Sequence, residues 1–354
     1  IKTSQVKVGD ILFTPSSETP DDIGHSAVVA EDLPNTLFSY HLARLRFNEI
    51  YDNKIDLNFR AYFCNSRPVL KQFERMSVGA TRYTISKGKF ESIQVLIPNS
   101  KIEQHKIADI LGMMDENIAK TQEVIEAIEK LKRGLMQRLF TRGIGHTKFK
   151  QTKIGEIPVE WEVVKIKDSS IKLIDGDRGV NYPKHFDFTD FEFTTGGYCL
   201  FLSNKNIKDD KFIFSELQFI SRDKDELLRA GKLQREDVVL TTRGTVGSVA
   251  FYDNTITFQN IRINSGMLIL RVFDDIEPIF LFHLMKSSLL KKKYKEIVSG
   301  SAQPQIPVGI LEQVYIPIPS EDEQQKIAEI LSAVDEKISV NKKLKEKLTQ
   351  LKNG

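Results

Sequence analysis

The apolar positions set out two long helices before anything else is visible. From Lys101 to Phe140 no proline interrupts the chain, and apolar residues recur at Ile107, Leu111, Met114, Ile118, Ile125, Ile128, Leu131, Leu135 and Leu139. Steps of three and four place such residues on one stripe, so the spacing predicts an amphipathic helix over 101–140. At 1.5 Å per residue it would reach roughly 60 Å. Pro98 and Gly143 suit its two boundaries. A second helix is predicted over 320–354, with Ile327, Leu331, Val334, Ile338, Leu344, Leu348 and Leu351 on its stripe. Ser320 and Glu323 have the spacing of a capping box. Thr121 and Asn341 occupy matching stripe positions where an apolar residue is expected, and polar residues there can fix register. Two packings are open. Each helix folds back on its own domain, or the two pair antiparallel and separate the domains. Length favours pairing, because such a helix outruns a domain of about 150 residues.

Between the helices, residues 155–319 alternate short β-type runs with loops. Examples are Val238–Thr241, Val249–Tyr252 and Met267–Leu270. A helical stretch follows over 278–298, ended by Gly300. Lys291, Lys292 and Lys293 lie in its last turns, where cations complement the helix dipole or contact a phosphate. Strands with a few helices predict an α+β class.

The chain repeats itself. EQHKIADILGMMDENI at 103–118 and EQQKIAEILSAVDEKI at 323–338 share ten of 16 residues at a constant separation of 220. Ile97-Pro98 matches Ile318-Pro319, and Gly79–Arg82 matches Gly300–Gln303. Gly9–Thr14 parallels Glu236–Thr241. The expected organisation is a first mixed domain over 1–100 that lacks its N-terminal part and a helix over 101–140. A linker over 141–154, a second mixed domain over 155–319 and a second helix over 320–354 follow. Two copies of so large a unit predict a pseudo-twofold protein facing a two-part target or two identical partners.

Composition narrows the chemistry. The net charge is only +3, and two cysteines stand far apart outside any CxxC spacing, as in a reduced, cytoplasmic protein. No stretch approaches a membrane span. The six histidines have no metal-ligand spacing, and no nucleophile elbow, HExxH or P-loop is present. No catalytic residue is expected. Two loops stand out. Thr241–Gly247 is either a tight turn or a phosphate- or guanine-binding loop through its amides, Thr242 and Arg243. In Ser299–Ile306, Gln303 and Gln305 flank a proline. They either form a reading edge for adenine or are satisfied by their own backbone.

These segments resemble a known family. Ile154–Trp161 (IGEIPVEW) looks like the start of a target-recognition domain in type I restriction-modification specificity (S) subunits. DVVLTTRGTVG at 237–247, SGSAQPQI at 299–306 and IPIPS before the second helix are similar to later parts of that domain. Glu-Gln-x-Lys-Ile-Ala at both helix starts, and KLKRGLMQ at 130–137, resemble the family's conserved spacers. The resemblance implies that each domain reads one half of a split site in duplex DNA and that the helices set the gap. It further implies that two methyltransferase subunits dock on the helices and methylate adenine with S-adenosylmethionine. Two restriction subunits using ATP and magnesium can join. Expected DNA-binding residues are Arg243, Thr242, Gln303, Gln305, Arg178, Tyr182, Lys184, Asn204 and Lys205 in the second domain. In the first they are Arg82, Tyr83 and Lys87. Helix pairing or docking falls to Ile107, Leu111, Met114, Ile118, Ile125, Ile327, Leu331, Val334, Ile338 and Leu348. The competing expectations are a coiled-coil scaffold that reads nothing and a single-chain DNA-modifying enzyme.

Overall fold

The computed structural model describes residues 5–190, 197–298 and 304–353. The chain divides into two units whose limits fall inside both long helices. One holds the chain up to Glu126 and again from Ser339, and the other is Ala127–Ile338. In the first unit, β1 (Ile11–Phe13) pairs antiparallel with both β3 (Ser26–Val28) and β4 (Ala43–Leu45). Between them in sequence, β2 (Ser16–Ser17) pairs with β5 (Tyr83–Thr84). Alternation along β1 turns Ile11 and Phe13 inward. They meet Val69 and Phe73 of α1 (Arg67–Met76) and Phe63 in one apolar core. Helix α2 (Lys101–Arg142) contributes Ala108 to that core.

The second unit is layered. Its main sheet has β6 (Ile171–Asp175) at one edge. A two-residue hairpin, β7 (Ile207–Lys208) and β8 (Lys211–Phe212), lies apart from that sheet. The remaining strands are β9 (Val238–Thr241), β10 (Val249–Phe251) and β11 (Met267–Val272), in the order β10-β9-β11-β6, all antiparallel. Val238, Leu240, Leu268 and Leu270 face a core shared with α3 (Pro278–Lys286) and α4 (Ser288–Val298). Val239, Met267 and Ile269 face a second core against Leu200, Leu202, Ile261 and Ile263 of another sheet. Burial on both faces is why these strands read as continuous apolar runs rather than alternating ones. The expected helical stretch over 278–298 is broken at Ser287, whose backbone is extended. Ser287 N donates to Leu284 O to close α3, and Ser287 Oγ accepts from Leu290 N to open α4.

The sequence repeat is a structural repeat. The carboxylate of Asp10 accepts from Lys7 N and takes Arg46 as a fork at 2.6 Å on each oxygen. Asp237 accepts from Gln234 N and takes Arg271 at 2.8 and 2.7 Å. Burial pushes the Asp10 carboxyl up, but the bonds from Arg46 and Lys7 outweigh it and hold it below the usual range. At each helix start a buried glutamine performs the same task. Gln104 accepts from Asp56 N and donates to Lys54 O and Pro98 O. Gln324 accepts from Glu277 N and donates to Asp275 O and Pro319 O.

Helix α5 (Glu321–Asn353) runs antiparallel to α2. Asp115 pairs with Lys352 and Gln122 with Lys345 in the first unit, and Lys132 with Asp335 in the second. As one partner's number rises from 115 through 122 to 132, the other's falls from 352 through 345 to 335. Pairing does not exclude packing on the domains. Ile327, Ala328 and Leu331 of α5 enter the second unit's core together with Met136, Leu139 and Phe140 of α2. Three residues expected on the stripes are instead exposed: Leu131 at 56%, Leu344 at 46% and Leu351 at 67%. The heptad steps run 118, 121, 125, 128, 132, so Lys132 occupies the seam and Leu131 flanks it. Lys345 and Lys352 displace Leu344 and Leu351 in the same way. The capping box expected at Ser320 is replaced by other bonds. Glu323 accepts from Ile144 N, Trp161 Nε1 and His146 Nε2, tying the end of α2 to the start of α5.

Candidate nucleic-acid interface

The end of the second unit's main sheet, where β9 stops and β11 begins, gathers several of the expected residues. Gly266 O accepts from Thr242 N at 2.8 Å and Arg243 N at 3.2 Å, and Ile306 N donates to Thr242 O at 2.9 Å. These bonds hold the loop after β9 against two neighbouring segments. Arg243 bridges to Gln305 through the backbone. Asn204 Nδ2 donates to Arg243 O at 2.5 Å, and Arg178 donates to Ser265 O at 3.2 Å while pairing with Asp175 at 2.8 Å. Thr241 closes the loop from within, its hydroxyl donating to Thr245 O and accepting from Ser248 N. Gly247, at φ +87°, takes a conformation costly for other residues, and a Cβ there would lie 2.9 Å from the Tyr294 ring.

What this rigid end offers outward is polar. Arg243 is exposed, and no described residue bonds its guanidinium. Gln305 stands beside it, half-buried. The buried Oδ1 of Asn204 has no hydrogen-bond partner among the described residues. A fixed backbone carrying an uncommitted guanidinium suits a guanine edge or a phosphate. Thr242 is a correction: its side chain is buried, so it shapes the loop through its backbone rather than meeting a ligand. Tyr182 is turned inward too, its ring 5.8 Å from Phe201 in edge contact within an apolar cluster. Lys184 and Lys205 are exposed, the latter 4.0 Å from Glu216. Gln303 lies outside the described residues. Of the lysine run, Lys291 faces Asp210 at 3.9 Å and Lys293 pairs with Glu296 at 2.7 Å, which leaves both partly neutralised.

In the first unit, Arg82 donates to Ser16 Oγ at 3.1 Å, Tyr83 faces Ser17 across β2–β5, and Lys87 pairs with Glu91 one helical turn on. The residues missed from the sequence are Asn264-Ser265-Gly266, whose turn-type composition was the available signal, and Ser16 and Ser17, which carried none. A cavity of about 390 Å³ is lined by Lys172, Arg229, Lys232, Arg262 and Arg271. Arg262, Lys232 and Arg271 there already pair with Asp225 and Asp237, which makes them structural cations.

The same unit holds a partly buried charge network. Asp335 meets Lys132 and also Lys286 at 3.5 Å, and Lys286 lies 4.0 Å from Asp210 in the β7–β8 turn. Burial, then the Lys132 charge, lowers the Lys286 amine to about 8. Burial, then Lys286, lowers the His283 imidazole to about 3, and its Nε2 lies 3.2 Å from Ser332 Oγ. The helix pair is thus wired to the segment that carries Asn204. Of the residues expected to pair or dock, Ile125, Ile327, Leu331 and Val334 are buried, and Ile107, Leu111, Met114, Ile118, Ile338 and Leu348 are half-buried. Among the described residues no group of three metal-ligating side chains occurs, and no helix is long and apolar enough to cross a membrane.

Comparison with known proteins gives a consistent set of likenesses. Residues 1–130 and 158–350 match the family described as the type I restriction modification DNA specificity domain. The MjaVIII specificity subunit of a type I restriction enzyme from Methanocaldococcus jannaschii is 31% identical over 277 residues, covering 76% of this chain and 61% of that protein. The putative MjaX specificity subunit of the same organism is 27% identical over 355 residues, covering 98% of this chain and 76% of that protein. The crystal structure of a type I restriction-modification S subunit from M. genitalium is similar in fold, with a TM-score of 0.59 at 16% identity over 99% of this chain and 82% of that one.

Proposed function

From the premise that this chain belongs to the type I restriction-modification DNA specificity family, we propose that it reads a two-part sequence in duplex DNA for partner subunits that carry the chemistry. One observation carries this reading. A single frame is built twice, and the outer loops it holds differ in their side chains. Each domain reads one half of the target at base edges in the major groove, while lysines and arginines hold phosphates and set orientation. The paired helices set the gap between halves.

Two identical methyltransferase subunits are the expected partners on the helices. Exposed apolar residues on α2 recur on α5 at the repeat's separation: Ile110 with Ile330, Val124 with Leu344, and Leu131 with Leu351. The same kind of exposed position presented twice suits two copies of one partner. S-adenosylmethionine belongs to those subunits, and ATP and magnesium to restriction subunits that can join them. The assembly works in the cytoplasm, and this chain contributes no catalytic residue.

Mapping N6-methyladenine in cells that co-express the chain with its methyltransferase subunit tests the reading. A split motif with one fixed gap is the expected result. A stable complex that methylates nothing, and whose DNA binding shows no sequence preference across a salt titration, would leave only a scaffold. Methylation or cleavage by the chain alone would point to a single-chain enzyme.

A further inference from the structure

We infer that Ser16, with Arg82 beside it, forms the base-contacting edge of the first unit in the place that Arg243 holds in the second. This inference rests on the DNA-reading function proposed above.

The bonds that carry the two loops out of their sheets are the same. Thr14 N donates to His25 O and Gly24 N to Thr14 O, while Thr241 N donates to Ser248 O and Gly247 N to Thr241 O. Gly24 and Gly247 share φ +87° and each lies under an aromatic ring. A Cβ would fall 2.2 Å from Phe73 in one and 2.9 Å from Tyr294 in the other. The facing segments are held alike as well. Ile85 N donates to Pro15 O at 3.1 Å, and Ile306 N donates to Thr242 O at 2.9 Å. One residue further along each loop, Ser16 faces Thr84 and Arg243 faces Gln305. Ser16 therefore takes the position of Arg243 on an equivalent backbone.

The chemistry at that position is not equivalent. Arg243 offers a planar set of donors that fits guanine O6 and N7. Ser16 offers a hydroxyl, which can donate or accept and meets either kind of base edge. Its oxygen already accepts from Arg82, which both orients the hydroxyl and keeps other guanidinium donors exposed. Ser17 is bound to its own loop, its hydroxyl donating to Asp22 at 2.9 Å. The first loop is also longer, reaching from Thr14 to Gly24 where the second needs only Thr241 to Gly247. Two readers with one frame and different edges select different bases.

The test uses the full chain co-expressed with its methyltransferase subunit, with N6-methyladenine mapped across the genome. Ser16→Ala and Arg82→Lys should each relax the bases accepted in one half of the motif, by about ten- to hundredfold at the affected position. The other half should stay intact and serve as an internal control for folding. Ser16→Arg should shift that same position toward guanine. Variants that keep both halves unchanged, or that alter both halves together, overturn the inference. If Ser16→Ala abolishes methylation through misfolding, the milder Arg82→Lys decides. A wild-type chain that directs no two-part methylation overturns the proposed function itself, and this inference with it.

Discussion

The two units agree where they are buried and part where they are exposed. Asp10 and Asp237 clamp the same arginine position, Gln104 and Gln324 pin the two helix starts through the same three bonds, and Gly24 and Gly247 share one backbone angle. At the loop tips the agreement ends, with Ser16 where the other unit has Arg243. The internal positions are constrained because an unsatisfied buried polar group costs about 1–3 kcal/mol. The tips are less buried, and there the side chains differ. The difference teaches that the frame and what it presents are set by separate residues a few positions apart.

The sharpest way to break that comparison is inside the helix pair. Asp335 and Asp115 occupy equivalent places in the repeat, but Asp335 faces the buried Lys286 as well as Lys132. Asp335→Ala should cost about 3–5 kcal/mol in chemical denaturation, because it strands buried charge. Next come the glutamines. Gln104→Ala and Gln324→Ala should each cost about 2–3 kcal/mol, since each leaves backbone groups unpaired in a buried place. Unequal losses would show that the two helix starts are not doing equal work. At the tips, Arg243→Ala should lower discrimination at one base position by about 1–3 kcal/mol without changing the melting transition. Binding to scrambled and cognate duplexes would measure it.

A pH series distinguishes the two units as well. His283 is held neutral, with its imidazole lowered to about 3 from an unperturbed 6.5. Below pH 6.5 the unfolded chain binds a proton that the folded chain refuses, so the stability of the second unit falls as pH drops from 6.5 toward 3. His283→Gln should flatten that limb, and an unchanged limb would assign it to other groups. The smallest effect is expected from Asp115→Ala. Its pair with Lys352 is more open to water, so the loss should stay below about 1 kcal/mol.

How much of this was legible in the sequence depended on periodicity. The helices, the repeat and the α+β class follow from apolar spacing and self-similarity, which are properties of the chain itself. The seam was misplaced by one residue because Leu131 lies next to Lys132, and periodicity reasoning assigns the apolar neighbour. The structure assigns the lysine, because Asp335 stands opposite. Tyr182 resembled a base-contacting aromatic, yet its ring found an apolar cluster nearer home. Glu323 matched a capping spacing, but the indole of Trp161 and the His146 ring compete for its carboxylate from 162 and 177 residues away. His283 and Lys286 gave no signal at all. Their burial is decided by what α2 and α5 place over α3, which no local pattern records. The grouping of Arg243, Asn204, Gln305 and Arg178 was likewise a matter of tertiary folding, which no local pattern of the chain records.

The helix seam also bears on how a duplicated chain chooses its mate. Asp115–Lys352 and Lys132–Asp335 are the same contact in the repeat, so each helix carries an acid and a base that would match a second copy of itself. The centre breaks this self-likeness. There Gln122 meets Lys345, while the register sets Lys342 against Ile125. Two α5 helices laid together would bring Lys342 and Lys345 of opposite strands side by side, charge against like charge. Two side chains at the midpoint thus favour α2 over a second α5 as the mate of α5.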